Sequence, residues 1–113
     1  MPKKQLGNKK PRLFRDTENL SLLNRMGFNN KGVLNLVRNI KAYEGQCKLL
    51  ISIGKNCDTP DEKSIDDYLF CLEKVFPIAD IVTVNVSSPN TKGLRALRKP
   101  KSLSGFLNTL KKR

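Results

Sequence analysis

The chain has 113 residues, of which 38% are hydrophobic and 28% are charged. A chain of this length builds one small domain with a modest core, and no apolar run is long enough to span a bilayer. Two-domain and transmembrane proteins are therefore excluded. The first residues are basic and have no apolar segment behind them, so we predict no secretory signal and expect a cytoplasmic protein.

The formal net charge of +12 is concentrated at the two ends. Residues 1–15 have six basic side chains and no acidic ones, and residues 92–113 have eight basic side chains and no acidic ones. The segment between them has a net charge of −2. Neither end interleaves aromatic side chains as a platform for single-stranded nucleic acid does. We interpret 1–113 as a single domain with a basic arm at 1–12 and a basic tail at 98–113, and expect no specific nucleic-acid partner.

The side chains that most often bind metals are scarce. Cys47, Cys57 and Cys71 are an odd number without metal-ligand spacing, and the chain has no histidine. We predict reduced, structural thiols and no metal site. Without histidine, the commonest general base is also missing, so any catalysis must use another side chain.

The first quarter of the chain is predicted to be mostly irregular. Residues 1–12 are rich in lysine, glycine, asparagine and proline, which indicates an exposed arm. Residues 24–30 contain too much asparagine and glycine for a stable helix or strand, and Met26 and Phe28 would anchor this loop by packing. The alternative is a plain connector in which Asn30 caps the next helix.

Regular elements follow from residue 31 onward. Apolar side chains at helical spacing predict an amphipathic helix over residues 31–43. The nearly all-apolar run at 49–53 is typical of a strand buried on both faces, as in a parallel sheet. A hydroxyl, a proline and a glutamate within residues 59–62 form a capping box for a second helix over residues 60–76, which has one continuous apolar stripe.

A second strand at 81–86 and a short last helix toward Leu110 complete the pattern. Strands that alternate with helices indicate an α/β fold in which consecutive strands are parallel neighbours. In such folds, ligands bind at the carboxyl ends of the strands. We therefore expect the segments 54–56 and 87–91 to lie on the same rim.

The loop after the second strand contains several polar side chains that could contact a ligand. Strand alternation places Asn85 where a core side chain would be expected, and a buried amide needs a partner from the protein or from a ligand. Ser87 and Ser88 add hydroxyls, Pro89 restricts the backbone, and Asn90 offers a second amide. A plain turn is the alternative interpretation of this loop.

Four sequence motifs, in this order and at this spacing, together indicate a known family more strongly than any one of them does alone. They are Asn24-Arg25-Met26-Gly27-Phe28-Asn29-Asn30, Ile53-Gly54-Lys55-Asn56, Asp66-Asp67-Tyr68 and Asn85-Val86-Ser87-Ser88-Pro89-Asn90-Thr91. Over about residues 11–97, the chain closely resembles the membrane-associated, quinone-reducing class of dihydroorotate dehydrogenase. The resemblance implies FMN-dependent oxidation of dihydroorotate to orotate in pyrimidine (UMP) biosynthesis, with a quinone as electron acceptor.

The same resemblance implies a role for each motif residue. The serine at Ser88 would be the catalytic base that removes a proton from the substrate ring. Asn85 would lie between flavin and substrate, and Ser52 stands where the family has an asparagine that helps bind FMN. Lys92 replaces a family proline. The implied substrate-binding residues are Asn24, Arg25, Met26, Gly27, Phe28, Asn85 and Asn90.

The length limits how much of this enzyme the chain can form. A (β/α)8 TIM barrel takes about 250 residues, so the resemblance implies a partial barrel with two or three βα units. We expect a truncated or pseudogene-like product with little activity alone. The family's membrane-seating helices are expected to be absent. One half of a split enzyme, joined by a complementing fragment, and a basic RNA-binding or interaction protein built on a barrel fragment are the alternatives.

Overall fold

The structure, a computed structural model, describes residues 1–86 and 100–111. Its elements follow the order predicted for an α/β protein, with an added hairpin near the start of the chain. They are β1 (Leu13–Asp16), β2 (Ser21–Asn24), α1 (Val33–Lys41), β3 (Leu50–Ile53), a 3-10 turn (Asp61–Lys63), α2 (Ser64–Val75), β4 (Ile81–Val84) and α3 (Pro100–Lys111).

The central sheet consists of β3 and β4, which pair in parallel from Leu50 with Ile81 to Ile53 with Val84. Both strands are rich in β-branched residues, which favour the extended backbone. The helix α2 connects them, as the parallel pairing requires. The prediction of an α/β fold with parallel neighbouring strands is confirmed.

The core lies on one face of this sheet. Ile51 and Ile53 of β3 are buried together with Tyr68, Cys71 and Val75 of α2. This packing removes apolar surface from water, the main stabilising contribution to a fold of this size.

The opposite face of the sheet is open among the residues that the structure describes. Leu50 is 61% exposed and Ile81 is 56% exposed. The prediction that the first strand is buried on both faces is therefore wrong, because the helix α2 covers only the face that carries Ile51 and Ile53. The open face is apolar at these two positions, and strands of a parallel sheet are normally covered on both sides.

The helix α2 begins at Ser64, four residues later than predicted, because a 3-10 turn occupies Asp61–Lys63. It buries its apolar stripe as predicted, except at its end. Phe76 is 71% exposed. The predicted capping box does not form, because the Thr59 hydroxyl donates to Asp67 Oδ2 at 2.7 Å instead of accepting from a backbone N–H at the helix start. Asp67 is itself half-buried and accepts two hydrogen bonds, one from the Thr59 hydroxyl and one from the Asn56 N–H.

The helix α1 begins two residues later than predicted. Its N-cap is Gly32, whose φ of 86° lies in the left-handed region that favours glycine. Asn30 was proposed as the cap, but its Oδ1 accepts from the Gly32 N–H at 2.8 Å and does not cap the helix itself. The Met1 carbonyl accepts from the Val33 N–H at 2.9 Å, so the start of the chain satisfies one free donor of the first turn.

Both ends of the chain contact the rest of the molecule. Most side chains of the predicted arm at 1–12 are exposed, but Gln5 is buried, so the prediction of an exposed arm is wrong at this residue. The arm precedes the β1–β2 hairpin, whose four antiparallel residue pairs were not predicted. At the other end, α3 occupies most of the predicted basic tail, and its Leu110 is buried in the core.

Candidate functional site

A cavity of ≈ 360 Å³ lies at the carboxyl ends of β3 and β4, and residues 28–33 and one side of α1 form its other walls. Ser52 and Gly54 line it from the first strand, and Asn85 lines it from the second. Parallel strands deliver their carboxyl ends to one rim, which is the place predicted for ligand binding. The cavity is near the lower end of the range of about 300–1,000 Å³ for small-molecule sites.

Asn85 is held at the cavity by its backbone. Its N–H donates to the Ile53 carbonyl at 2.9 Å, and its carbonyl accepts from the Tyr68 hydroxyl at 2.7 Å. Burial raises the pKa of Tyr68 to about 12, so its hydroxyl is protonated and able to donate at neutral pH. The position of the Asn85 side chain at the cavity therefore depends on a residue of α2.

Phe28 has a backbone conformation that is unusual for a side chain of its size. Its φ of 53° lies in the left-handed region, where non-glycine residues are strained. The Asn30 side chain donates to the Phe28 carbonyl at 2.7 Å and fixes this peptide. Strained residues that the surrounding structure holds in place are frequent at ligand sites. Phe28 forms part of the cavity wall.

The other predicted substrate-binding residues of this loop, which precede Phe28, lie outside the cavity lining. Asn24 and Arg25 are exposed, and the Arg25 guanidinium donates twice to the Pro11 carbonyl, at 3.1 and 2.9 Å. Met26 is half-buried, and Gly27 is buried with a φ of 70°. These four residues support the loop that presents Phe28, and their substrate-binding role stays a prediction.

The structure thus brings three of the predicted site residues together, namely Phe28, Ser52 and Asn85. Ser88, the predicted base, and Asn90, the predicted second amide, lie outside the described residues. Their roles stay predictions from the resemblance.

Lys55 belongs to the predicted rim segment 54–56 but was not predicted as a site residue. It is only 2% exposed and lines the same cavity. Its ammonium group donates to the Thr59 carbonyl at 2.7 Å and lies 3.3 Å from a carboxylate oxygen of Asp61. A buried ammonium group needs such partners, because desolvation of an unpaired charge is costly. Its position between a glycine and an asparagine at a strand end was the one available signal.

Two asparagines of α1 were also missed. Asn35 and Asn39 are four residues apart, which places both on one side of a helix, and both line the cavity. Each adds an amide with donor and acceptor capacity. Their spacing in the sequence was a usable signal, but the side of the helix that faces the sheet could not be chosen without the fold.

No group of three or more cysteine, aspartate or glutamate side chains within 1–86 and 100–111 could hold a metal ion. The helices in these same ranges include none that is long and apolar enough to cross a membrane.

Comparison with known proteins gives the family. The family model described as dihydroorotate dehydrogenase matches residues 1–113. The chain belongs to the dihydroorotate dehydrogenase family. It is 59% identical over 110 residues to dihydroorotate dehydrogenase (quinone) of Idiomarina loihiensis, covering 97% of this chain and 33% of that protein. It is 57% identical over 112 residues to the protein of the same name from Acinetobacter baylyi, covering 99% of this chain and 34% of the relative.

Solved structures of this family share the fold of the chain. Ligand-free dihydroorotate dehydrogenase from Eimeria tenella is 37% identical, with a TM-score of 0.85 over 95% of this chain and 32% of the other. The same enzyme in complex with ferulenol is 38% identical, with a TM-score of 0.79 over 95% of this chain and 30% of the other. The chain thus spans about a third of the length of these relatives.

Proposed function

We propose that the chain forms part of a (β/α)8 barrel and contributes substrate-facing and flavin-facing residues to a quinone-dependent dihydroorotate dehydrogenase. The observation that carries this proposal is the meeting of Phe28, Ser52 and Asn85 at one cavity on the strand-end rim. The reaction would be the oxidation of dihydroorotate to orotate in pyrimidine biosynthesis. A quinone at the membrane surface would be the final electron acceptor, and the chain itself would be cytoplasmic.

The chemistry of the cavity suits a small planar ring with amide groups. Asn35, Asn39 and Asn85 place donor and acceptor pairs around it, and Val33 and Ile53 supply apolar surface. The cyclic imide of orotate offers the complementary donors and acceptors. A mostly apolar cavity with a few placed polar groups is the usual form of a small-molecule site.

The same lining fits the ring portion of FMN. Ser52 and Asn85 would hold that ring, since their polar side chains reach the cavity from neighbouring strands. When bound, FMN supplies the hydride acceptor for the oxidation. Gly32 and Gly54 are separate in the lining, so the described residues offer no run of glycine N–H groups for the phosphate.

We assign the proton abstraction to Ser88, following the resemblance. A serine hydroxyl is a weak base, so it needs a water-excluding pocket and a path that removes the proton. The Asn85 backbone, which Tyr68 and Ile53 hold, would set where the loop containing Ser88 begins.

Alone, the chain is expected to have little activity. In the described part of the chain, β3 and β4 form a two-stranded sheet whose open face exposes Leu50 and Ile81. Unpaired edges and exposed apolar faces favour association with another segment. A complementing fragment with the remaining strands is the partner that fits this surface. The RNA-binding alternative is not favoured, because the whole chain matches the family model.

Orotate binding tests the proposal. Calorimetric titration with orotate should give measurable affinity for the chain, and Asn85→Ala should weaken it about tenfold, the equivalent of roughly one hydrogen bond to a charged or polar ligand group. Asn108→Ala, at an exposed position of α3, is the matched control and should bind as the unaltered chain does. Equal affinity of the Asn85→Ala variant and the unaltered chain would remove the proposed site.

A further inference from the structure

The predicted basic arm contains a buried polar residue that the proposed function does not use. Gln5 is 7% exposed, although most of the arm around it faces solvent. Buried amides are retained where their hydrogen bonds are satisfied, because an unpaired amide in the interior is costly. The contacts of Gln5 therefore show what the arm is attached to.

The Gln5 side chain bridges two loops at the cavity end of the molecule. Its Nε2 donates to the Gly27 carbonyl at 2.8 Å. Its Oε1 accepts from the Cys57 N–H at 2.8 Å and from Asn56 Nδ2 at 3.3 Å. The donor end thus holds residues 24–30, and the acceptor end holds the loop after β3.

The Gln5 backbone contacts the same region. Its N–H and carbonyl pair with the carbonyl and N–H of Asn30, at 3.0 and 2.9 Å. Asn30 in turn donates from its side chain to the Phe28 carbonyl at 2.7 Å. Gln5 therefore holds both sides of Phe28, through Gly27 before it and Asn30 after it. These flanking contacts constrain the strained φ of 53° at Phe28.

We propose that Gln5 is a positioning residue for the cavity. Its amide sets the distance between the loop that presents Phe28 and the loop that follows β3, and thereby fixes one wall of the site. The statement about the site rests on the proposed function, whereas the bridging of the two loops does not. A side chain in this place must donate at one end and accept at the other, and glutamine does both.

Two substitutions separate the two ends of the amide. Gln5→Leu removes donor and acceptor with little change in size. Gln5→Glu keeps an acceptor for the Cys57 N–H, removes the donor to Gly27, and places a carboxylate against the Gly27 carbonyl. Gln46, the only other glutamine, is exposed, so Gln46→Leu and Gln46→Glu are matched controls.

Hydrogen exchange of single backbone amides measures the bridge directly. Asn8 and Asn30 report on the 24–30 loop, since their N–H groups donate to the Met26 and Gln5 carbonyls. Gln5→Leu should accelerate exchange at Asn8, Asn30 and Cys57 about five- to tenfold, the effect of losing one or two net hydrogen bonds from a local opening. Gln5→Glu should accelerate Asn8 and Asn30 and leave Cys57 near its original rate.

The controls and the interior of α2 should exchange at unaltered rates. Unaltered rates at Asn8 and Asn30 in both Gln5 variants would overturn the proposal. An equal acceleration at every amide, α2 included, would also overturn it, since Gln5 would then contribute only to global stability. If Gln5→Leu does not fold, the exchange rates of Gln5→Glu alone test whether Gln5 joins the two loops, because this variant preserves the shape of the side chain and one of its contacts.

Orotate titration connects the bridge to the site. Gln5→Glu should weaken orotate binding about fivefold at a temperature at which the variant and the unaltered chain are both folded, because the wall moves while the core does not. Faster exchange in the loop with unaltered orotate affinity would overturn the positioning role. If the unaltered chain does not bind orotate, the proposed function fails, and the exchange rates alone decide whether Gln5 joins the two loops.

Discussion

Removal of the Tyr68 hydroxyl tests whether α2 holds the end of β4. Tyr68 is fully buried, and its hydroxyl donates to the Asn85 carbonyl at 2.7 Å. Tyr68→Phe keeps the ring and its packing and leaves this carbonyl without that donor. Since removing the donor of a hydrogen bond to a part-buried acceptor costs about 1–2 kcal/mol, we expect the free energy of unfolding to fall by that amount.

For a domain of this length, such a loss corresponds to a decrease of the thermal midpoint by about 4–12 °C. Thermal unfolding followed by circular dichroism measures it. Tyr43 is the only other tyrosine and its side chain is exposed, so Tyr43→Phe is the matched control and should unfold at the original midpoint. If Tyr68→Phe unfolds as the unaltered chain does, the hydroxyl does not hold the strand end, and the reasoning on Asn85 is refuted.

Two further predictions concern charged groups. Hydrogen bonds from Lys48 and from the Leu49 N–H lower the pKa of Asp80 below its usual 3.8. This contribution to stability is present above the unfolded pKa and lost as pH falls through the folded pKa. Urea unfolding between about pH 6 and pH 2 should therefore show an acid-induced loss of stability that is smaller in Asp80→Asn. Lys55→Met leaves the Thr59 carbonyl unpaired and should lower the free energy of unfolding by about 1–3 kcal/mol, while the exposed Lys63→Met should be neutral in the same urea assay.

The elements with strong apolar periodicity could be predicted from the sequence. Short-range patterns of residue type predicted the strands β3 and β4 and the helix α2. Such patterns indicate local structure when burial follows the same period. Phe76 extended the apolar stripe of α2 but lies beyond its last residue and is exposed, because the chain turns after Val75. Periodicity predicts the side of a helix that is buried better than it predicts where the helix ends.

Contacts between distant segments could not be predicted. Gln5 is 22 residues from Gly27 and 51 residues from Asn56 in the chain, and no local pattern relates them. The capping assignments for Thr59 and Asn30 failed for a similar reason, since each side chain found another partner once the loops were in place. Polar side chains have several possible partners, and the tertiary fold decides among them.

The part of the candidate site at the strand ends could be predicted in part from the sequence, whereas the part that loops form could not. Strand alternation singled out Asn85, and the rule that ligands bind at the carboxyl ends of parallel strands predicted the rim near which it lies. Ser52 was included only through the resemblance. Phe28 was included only through the resemblance, since nothing local in a loop rich in asparagine and glycine relates it to a distant strand. The burial of Lys55 at the site was not predicted, because a lysine in a loop is ordinarily exposed.

The motif Asp66-Asp67-Tyr68 gains a physical role from these contacts. Neighbouring residues on a helix project about 100° apart, so Asp67 and Tyr68 can reach different loops. Asp67 accepts from the Asn56 N–H at 2.8 Å, after the first strand, and Tyr68 donates to the Asn85 carbonyl at 2.7 Å, after the second. One turn of α2 therefore holds the ends of both strands, and Gln5 extends this support through Asn56 to the loop with Phe28. A change in this turn of α2 should therefore affect Asn56 and Asn85 together, whereas a change at Gln5 should affect the loop with Phe28 and the loop after β3 but not Asn85.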